Sequence, residues 1–167
     1  MMRRGFLAGL AGLFGAAWIG RGARAAAVDA PPDPDTIEPV RLSEAEWKER
    51  LEPKAYKVLR EEDTERAHTS PLNREKRAGT FHCAGCGLLL FRSEWKFDSG
   101  TGWPSFYDVV KPHIGTKVDR KLFVQRTEYH CARCGGHQGH IFEDGPEPTG
   151  LRYCNNGVAL EFRPAAA

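Results

Sequence analysis

Several things are scarce in this chain of 167 residues, and each scarcity removes a reading. The apolar stretch from Gly5 to Gly20 is rich in glycine and alanine and falls short of the ~20 residues that a membrane-spanning helix needs. Neither sign of charge dominates. There are 24 lysines and arginines against 22 acids, and without Arg3, Arg4, Arg21 and Arg24 of the N-terminal stretch the balance becomes 20 against 22. That leaves no basic footprint for nucleic acid. No internal repeat is found, apart from a Cys-x-x-Cys pattern that occurs twice. Cysteine itself is sparse at five residues, an odd count that leaves one thiol over from any pairing.

What is present begins with a leader. Met1-Met2-Arg3-Arg4-Gly5-Phe6-Leu7 starts it, the uncharged run follows, and Arg21-Gly22-Ala23-Arg24-Ala25-Ala26-Ala27 closes it. A charged start, an apolar middle and a small-residue end form the pattern of an export signal. The paired arginines resemble a twin-arginine signal. The expectation is a signal over residues 1–25, cleaved after Ala25 or Ala27, and a periplasmic protein. An uncleaved leader acting as an N-terminal anchor is the alternative. Residues 26–41 read as a spacer. Four prolines and four acids between Val28 and Val40 cannot build a core.

A single domain is expected over residues 42–164. Ser43-x-x-Glu46 has the form of a capping box. Trp47, Leu51, Ala55 and Leu59 recur every fourth residue, and Pro53 divides that stretch into two short helices. Beyond His68, short apolar runs alternate with turn signals such as Ser99-Gly100, Gly135-Gly136, Asp144-Gly145-Pro146 and Asn156-Gly157. Leu88 to Phe91, Lys121 to Tyr129, and Val158-x-Leu160-x-Phe162 are the expected strands. The fold class predicted is mainly β: a small antiparallel sheet domain behind short N-terminal helices.

Cys83-Ala-Gly-Cys86-Gly and Cys131-Ala-Arg-Cys134-Gly are near copies. Two such knuckles brought together form a four-thiolate tetrahedron suited to one structural zinc. The 44 residues between them exceed the span of a small zinc ribbon, so the intervening segment must be part of the fold. The competing reading is a disulfide framework, since exported proteins meet an oxidising compartment. Pairs three residues apart are more typical of redox-active sites than of staples, and the duplication favours metal. Cys154 stands outside both knuckles. A nucleophilic thiol needs a cationic or hydrogen-bonding setting, for which Arg152, His137 and His140 are candidates.

Three further motifs complete the pattern: Gly100-Thr101-Gly102-Trp103-Pro104-Ser105-Phe106, Gly136-His137-Gln138-Gly139-His140-Ile141-Phe142-Glu143-Asp144-Gly145-Pro146, and Thr149-Gly150-Leu151-Arg152-Tyr153-Cys154-Asn155-Asn156-Gly157. With the two knuckles, this set resembles methionine-R-sulfoxide reductase, the B-type peptide-methionine sulfoxide reductase, from about Leu42 to Pro164. The resemblance implies that Cys154 attacks the sulfoxide sulfur, giving methionine and a sulfenic acid. By the same resemblance His140 protonates the departing oxygen, His137 and Asp144 position it, Asn156 helps hold the oxygen and Trp103 packs on the substrate methyl group.

One departure carries a consequence. Many members of that family have a cysteine where this chain has Thr101, and it resolves the sulfenic acid as an internal disulfide. Here the other four cysteines are expected on the metal. A one-cysteine cycle follows, regenerated by an external thiol, either a small molecule or a thioredoxin-like protein. The expected substrates are oxidised proteins, and a monomer is expected. The rivals are a non-catalytic zinc-stabilised β binding domain and a thiol-disulfide enzyme using metal-free Cys-x-x-Cys pairs. A zinc hydrolase is excluded by a metal already holding four thiolates.

Overall fold

The structure is a computed structural model that describes residues 37–120 and 125–166. The expected signal, the first part of the spacer (26–36) and the start of the run from Lys121 lie outside the described residues. Among the described residues, no helix is long and apolar enough to cross a membrane.

Helix α1 spans Glu44–Arg50. The backbone N–H of Ser43 donates to Glu46 Oε2 at 2.7 Å and Glu46 N–H donates to the Ser43 hydroxyl, closing the capping box. Helix α2 spans Pro53–Glu61 with the proline at its first position, where its missing N–H costs nothing. Trp47, Leu51, Ala55 and Leu59 are all buried despite the break between the helices. Burying Leu59 alone is worth about 2 kcal/mol. The Arg60 guanidinium lies 4.9 Å above the Trp47 ring and donates to Cys134 O at 2.9 Å, which ties the helices to the second knuckle.

Nine strands follow among the described residues: β1 Gly79–Cys83, β2 Leu89–Arg92, β3 Lys96–Phe97, β4 Ser105–Phe106, β5 Ile114–Asp119, β6 Arg126–Cys131, β7 His137–Phe142, β8 Arg152–Asn155 and β9 Leu160–Pro164. They form a three-stranded sheet, β2-β1-β9, and a six-stranded sheet, β3-β4-β8-β7-β6-β5, with antiparallel pairing throughout. The domain is therefore mainly β with two short helices, as the patterning predicts.

Period-two alternation gives the large sheet two different faces. Phe106, Tyr129 and Tyr153 turn to one side and meet Phe81 and Phe91 of the small sheet. The Phe91 and Phe106 rings stack at 4.1 Å, Phe81 meets Phe106 edge-on at 4.9 Å, and Tyr129 meets Tyr153 edge-on at 5.6 Å. The alternate residues Ser105, Cys154, His140, Glu128 and Lys117 stand in register across the sheet on the opposite face. The aromatic face makes the core, and the other face is free to carry chemistry.

Candidate active site and metal centre

Cys83 ends β1 in the small sheet and Cys131 ends β6 in the large one. After each, a tight turn brings a second thiol back: Gly87 N–H donates to Cys83 O, and Gly135 N–H to Cys131 O, both at 2.8 Å. Gly87 and Gly135 both have positive φ, the left-handed conformation that closes such turns. All four sulfurs lie within 4.8 Å of one another, with Cys83 and Cys134 at 3.6 Å and Cys86 and Cys131 at 3.5 Å. A tetrahedron with metal–sulfur bonds of ~2.3 Å has edges of about 3.8 Å, so the set fits a metal ion. The mutual hydrogen bonds drive Cys83 up and Cys86 down, with Cys131 the largest influence on each. Gln138 Nε2 donates to Cys83 Sγ at 3.3 Å, an outer contact of the kind that orients metal ligands.

Cys154 lies inside β8 and His140 is its register partner on β7. Successive residues on a strand face opposite ways, so His137 and His140, three apart, should be on opposite faces. A bulge prevents that. Tyr129 pairs with Gly139 but His130 pairs with His137, leaving Gln138 as the extra residue. His137 is thereby brought to the face of His140, with the two rings 5.5 Å apart. Gly139 allows β7 to lie close against β8, since a Cβ there would sit 1.9 Å from Cys154 O.

A cavity of about 110 Å³ opens on this face, lined among others by Trp103, Arg126, His140, Phe142, Cys154 and Asn156. Its walls are largely apolar with a few polar side chains among them, as ligand sites usually are. Trp103 Nε1 donates to Glu65 O at 2.8 Å, which fixes the indole from the segment after α2. The same residue's N–H donates to Asn156 Oδ1 at 2.9 Å, and its carboxylate accepts from Gly157 N–H at 2.7 Å. Asn156 Nδ2 donates to Gln138 O at 3.0 Å. Its amide is thus engaged at both ends by protein groups while the residue borders the cavity.

Arg152 and Asp144 form a bidentate pair at 2.8 and 2.9 Å, and the guanidinium also lies 4.3 Å over the Phe142 ring. Asp144 is thus drawn to Arg152, and the carboxylate on His140 is a different one. His140 Nε2 is 2.8 Å from Asp119 Oδ2, which also accepts from Arg126 Nη2 at 2.6 Å. His137 Nδ1 lies 2.9 Å from Glu128 Oε1, at ion-pair distance but out of line for a hydrogen bond. Asp119, Arg126, Glu128 and Gln138 were not among the sequence candidates. Asp119 and Arg126 fall in no motif and meet only as register partners across β5 and β6.

Burial pushes the Cys154 thiol above its ordinary range, opposed first by the charge of Arg152 and then by a hydrogen bond from Thr101. Burial likewise pulls His140 below the usual imidazole value, opposed by its hydrogen bond to Asp119. Both shifts favour the uncharged forms at neutral pH, a thiol on β8 and a neutral imidazole on the neighbouring β7.

Fold and site together define an antiparallel β domain with a buried thiol in register with an imidazole and a four-cysteine cluster that fits a metal ion. Residues 51–164 match the family model described as SelR domain, and the chain belongs to that family. It is 52% identical over 125 residues to the peptide methionine sulfoxide reductase MsrB of Methanosarcina barkeri, covering 74% of this chain and 88% of that protein. It is 50% identical over 130 residues to the protein of the same name from Bradyrhizobium diazoefficiens, covering 77% and 94%. With the one from Leptospira interrogans it shares 48% over 125 residues, covering 74% and 95%.

Proposed function

We propose that the chain reduces methionine-R-sulfoxide, mainly in oxidised proteins, to methionine through Cys154. The register pairing of Cys154 with His140 in the lining of a small, mostly apolar cavity carries this reading. A methylsulfinyl group matches such a cavity. Its methyl finds the Trp103 indole, and sulfur packs favourably near aromatic rings. The Cys154 sulfur attacks the substrate sulfur and forms a transient sulfur–sulfur bond; as the substrate's sulfur–oxygen bond breaks, the hydroxyl passes to the Cys154 sulfur and the sulfur–sulfur bond breaks to release methionine. His140 takes the thiol proton and returns it to that oxygen. The products are methionine and Cys154 sulfenic acid, with no proton gained or lost overall.

Thr101 stands between Gly100 and Gly102, two positive-φ glycines, and is among the groups that favour the Cys154 thiolate. No second thiol is at hand there. With the other four cysteines gathered at the metal centre, the sulfenic acid is regenerated from outside. One external thiol forms a mixed disulfide and releases water, and a second restores Cys154. A small thiol or a thioredoxin-like protein fits that role. The four-cysteine centre is read as structural zinc, closed to water by its four sulfurs. Export by the twin-arginine route to the periplasm, with the leader removed or kept as an anchor, completes the reading. A purely structural β module would have no use for an imidazole in register with a buried thiol.

The test is incubation with racemic dabsyl-methionine sulfoxide and dithiothreitol. Loss of the R epimer with the S epimer untouched is expected; equal or no loss overturns the reading. Intact mass after one turnover without dithiothreitol should show a single added oxygen, or its dimedone adduct, on Cys154. An intrachain disulfide there would overturn the one-cysteine cycle.

A further inference from the structure

We propose that Asp119, clamped by Arg126, is a positioning residue that fixes the His140 ring with Nε2–H on the carboxylate, leaving Nδ1 as the nitrogen that moves the proton. Asp119 is only 8% exposed and ends β5; Arg126 opens β6 as its register partner. One carboxylate oxygen, Oδ2, faces both His140 Nε2 at 2.8 Å and Arg126 Nη2 at 2.6 Å. A carboxylate paired with a guanidinium can only accept, so the ring nitrogen facing it must carry hydrogen. In the neutral ring the lone pair is then on Nδ1. Among the described residues no protein group hydrogen-bonds Nδ1.

This inference rests on the reductase reading and deepens it. Nδ1 receives the thiol proton from Cys154 as its sulfur bonds to the sulfoxide sulfur. It passes that proton to the oxygen, and as the old sulfur–oxygen bond breaks the hydroxyl moves to the Cys154 sulfur and the transient sulfur–sulfur bond breaks. Nε2–H stays on Asp119 throughout, and the carboxylate stabilises the transient imidazolium. The groups facing His140 are Asp119 on β5, Arg126 and Glu128 on β6, His137 on its own strand and Cys154 on β8. Lys117 and Glu62 stand behind Glu128. Arg126 and His137 disfavour the imidazolium, and Asp119 favours it. Removing the Asp119 carboxylate therefore makes His140 harder to protonate.

The experiment uses the metal-loaded chain labelled with nitrogen-15. In the wild type near pH 8 the His140 imidazole is expected as the Nε2–H tautomer. Asp119→Asn can donate to Nε2 and should move the ring toward Nδ1–H. With dithiothreitol and dabsyl-methionine-R-sulfoxide, kcat should fall about 100-fold, within the range of lost proton-transfer catalysis. KM should stay within about twofold, because Asp119 acts through His140 and not on the substrate. The acid limb of kcat/KM should move to lower pH. A wild-type Nδ1–H tautomer overturns the proposal, as does an Asn variant that keeps the tautomer, limb and kcat. If that variant fails to fold, the wild-type spectrum decides alone. Failure of the wild type to reduce the sulfoxide would strike the reductase reading but leave the tautomer result standing.

Discussion

Cys154 is held between opposing influences. Burial favours the thiol, while Arg152 and Thr101 favour the thiolate. His140, one strand away, is held neutral by burial against the pull of Asp119. In the proposed reaction the productive state has one proton shared between them. As pH falls through the lowered His140 value, the imidazole charges and cannot take the thiol proton. As pH rises through the raised Cys154 value, the proton needed by the leaving oxygen is gone. The kcat/KM profile should therefore be a bell with its acid limb below the ordinary histidine value of 6.5 and its base limb above the ordinary cysteine value of 9.0. An acid limb above 6.5 would show that burial does not govern His140. At this scale the sequence was informative where chemistry and spacing coincide: Cys154 stands out simply because the other cysteines come in pairs. It was silent on Asp119 and Arg126, which the chain places side by side only by pairing β5 with β6.

Among the elements, β7 decides the site. Its bulge at Gln138 turns His137 to the face of His140 and Cys154, and its Gly139 lets β8 approach. The Gln138 carbonyl accepts from Asn156, and its side chain reaches Cys83. One strand thus touches the four-cysteine cluster, the cavity rim and Cys154. Gly139→Ala would place a methyl group 1.9 Å from Cys154 O and must part the two strands. The expected cost is about 3 kcal/mol in stability. A roughly 100-fold loss of kcat should accompany it, since small misplacements of reacting groups are expensive. Urea unfolding and steady-state kinetics with dithiothreitol would measure both, and an unchanged kcat would show the β7–β8 spacing to be unimportant. The His-x-x-His spacing in the sequence could not reveal the common face, because a regular strand separates residues three apart.

For the whole molecule, the metal centre joins the sheets. Cys83 belongs to the strand that pairs with β2 and β9, and Cys131 to the sheet that carries the site. Through the Gln138 contact, the centre also braces the bulge. Cys83→Ser should lose the metal, read by elemental analysis. The melting temperature should drop by roughly 10–20 °C, equivalent to a few kcal/mol for a domain of this size. Cys154→Ser should keep metal and melting temperature while losing all activity. Equal stability of both variants would mean that the aromatic core alone holds the sheets together.

The sequence by itself determined the class of fold, the two knuckles, the helix break at Pro53 and which cysteine stands apart from the knuckles. Each of these is local: a spacing, a cap, a missing N–H or a leftover cysteine. The tertiary structure decided what crosses between strands. It put His140 beside Cys154, gave His140 the carboxylate of Asp119, and turned Asp144 to Arg152. Register and a one-residue bulge are collective outcomes of how whole strands pair over a common core. No short stretch of the chain contains the information to set them.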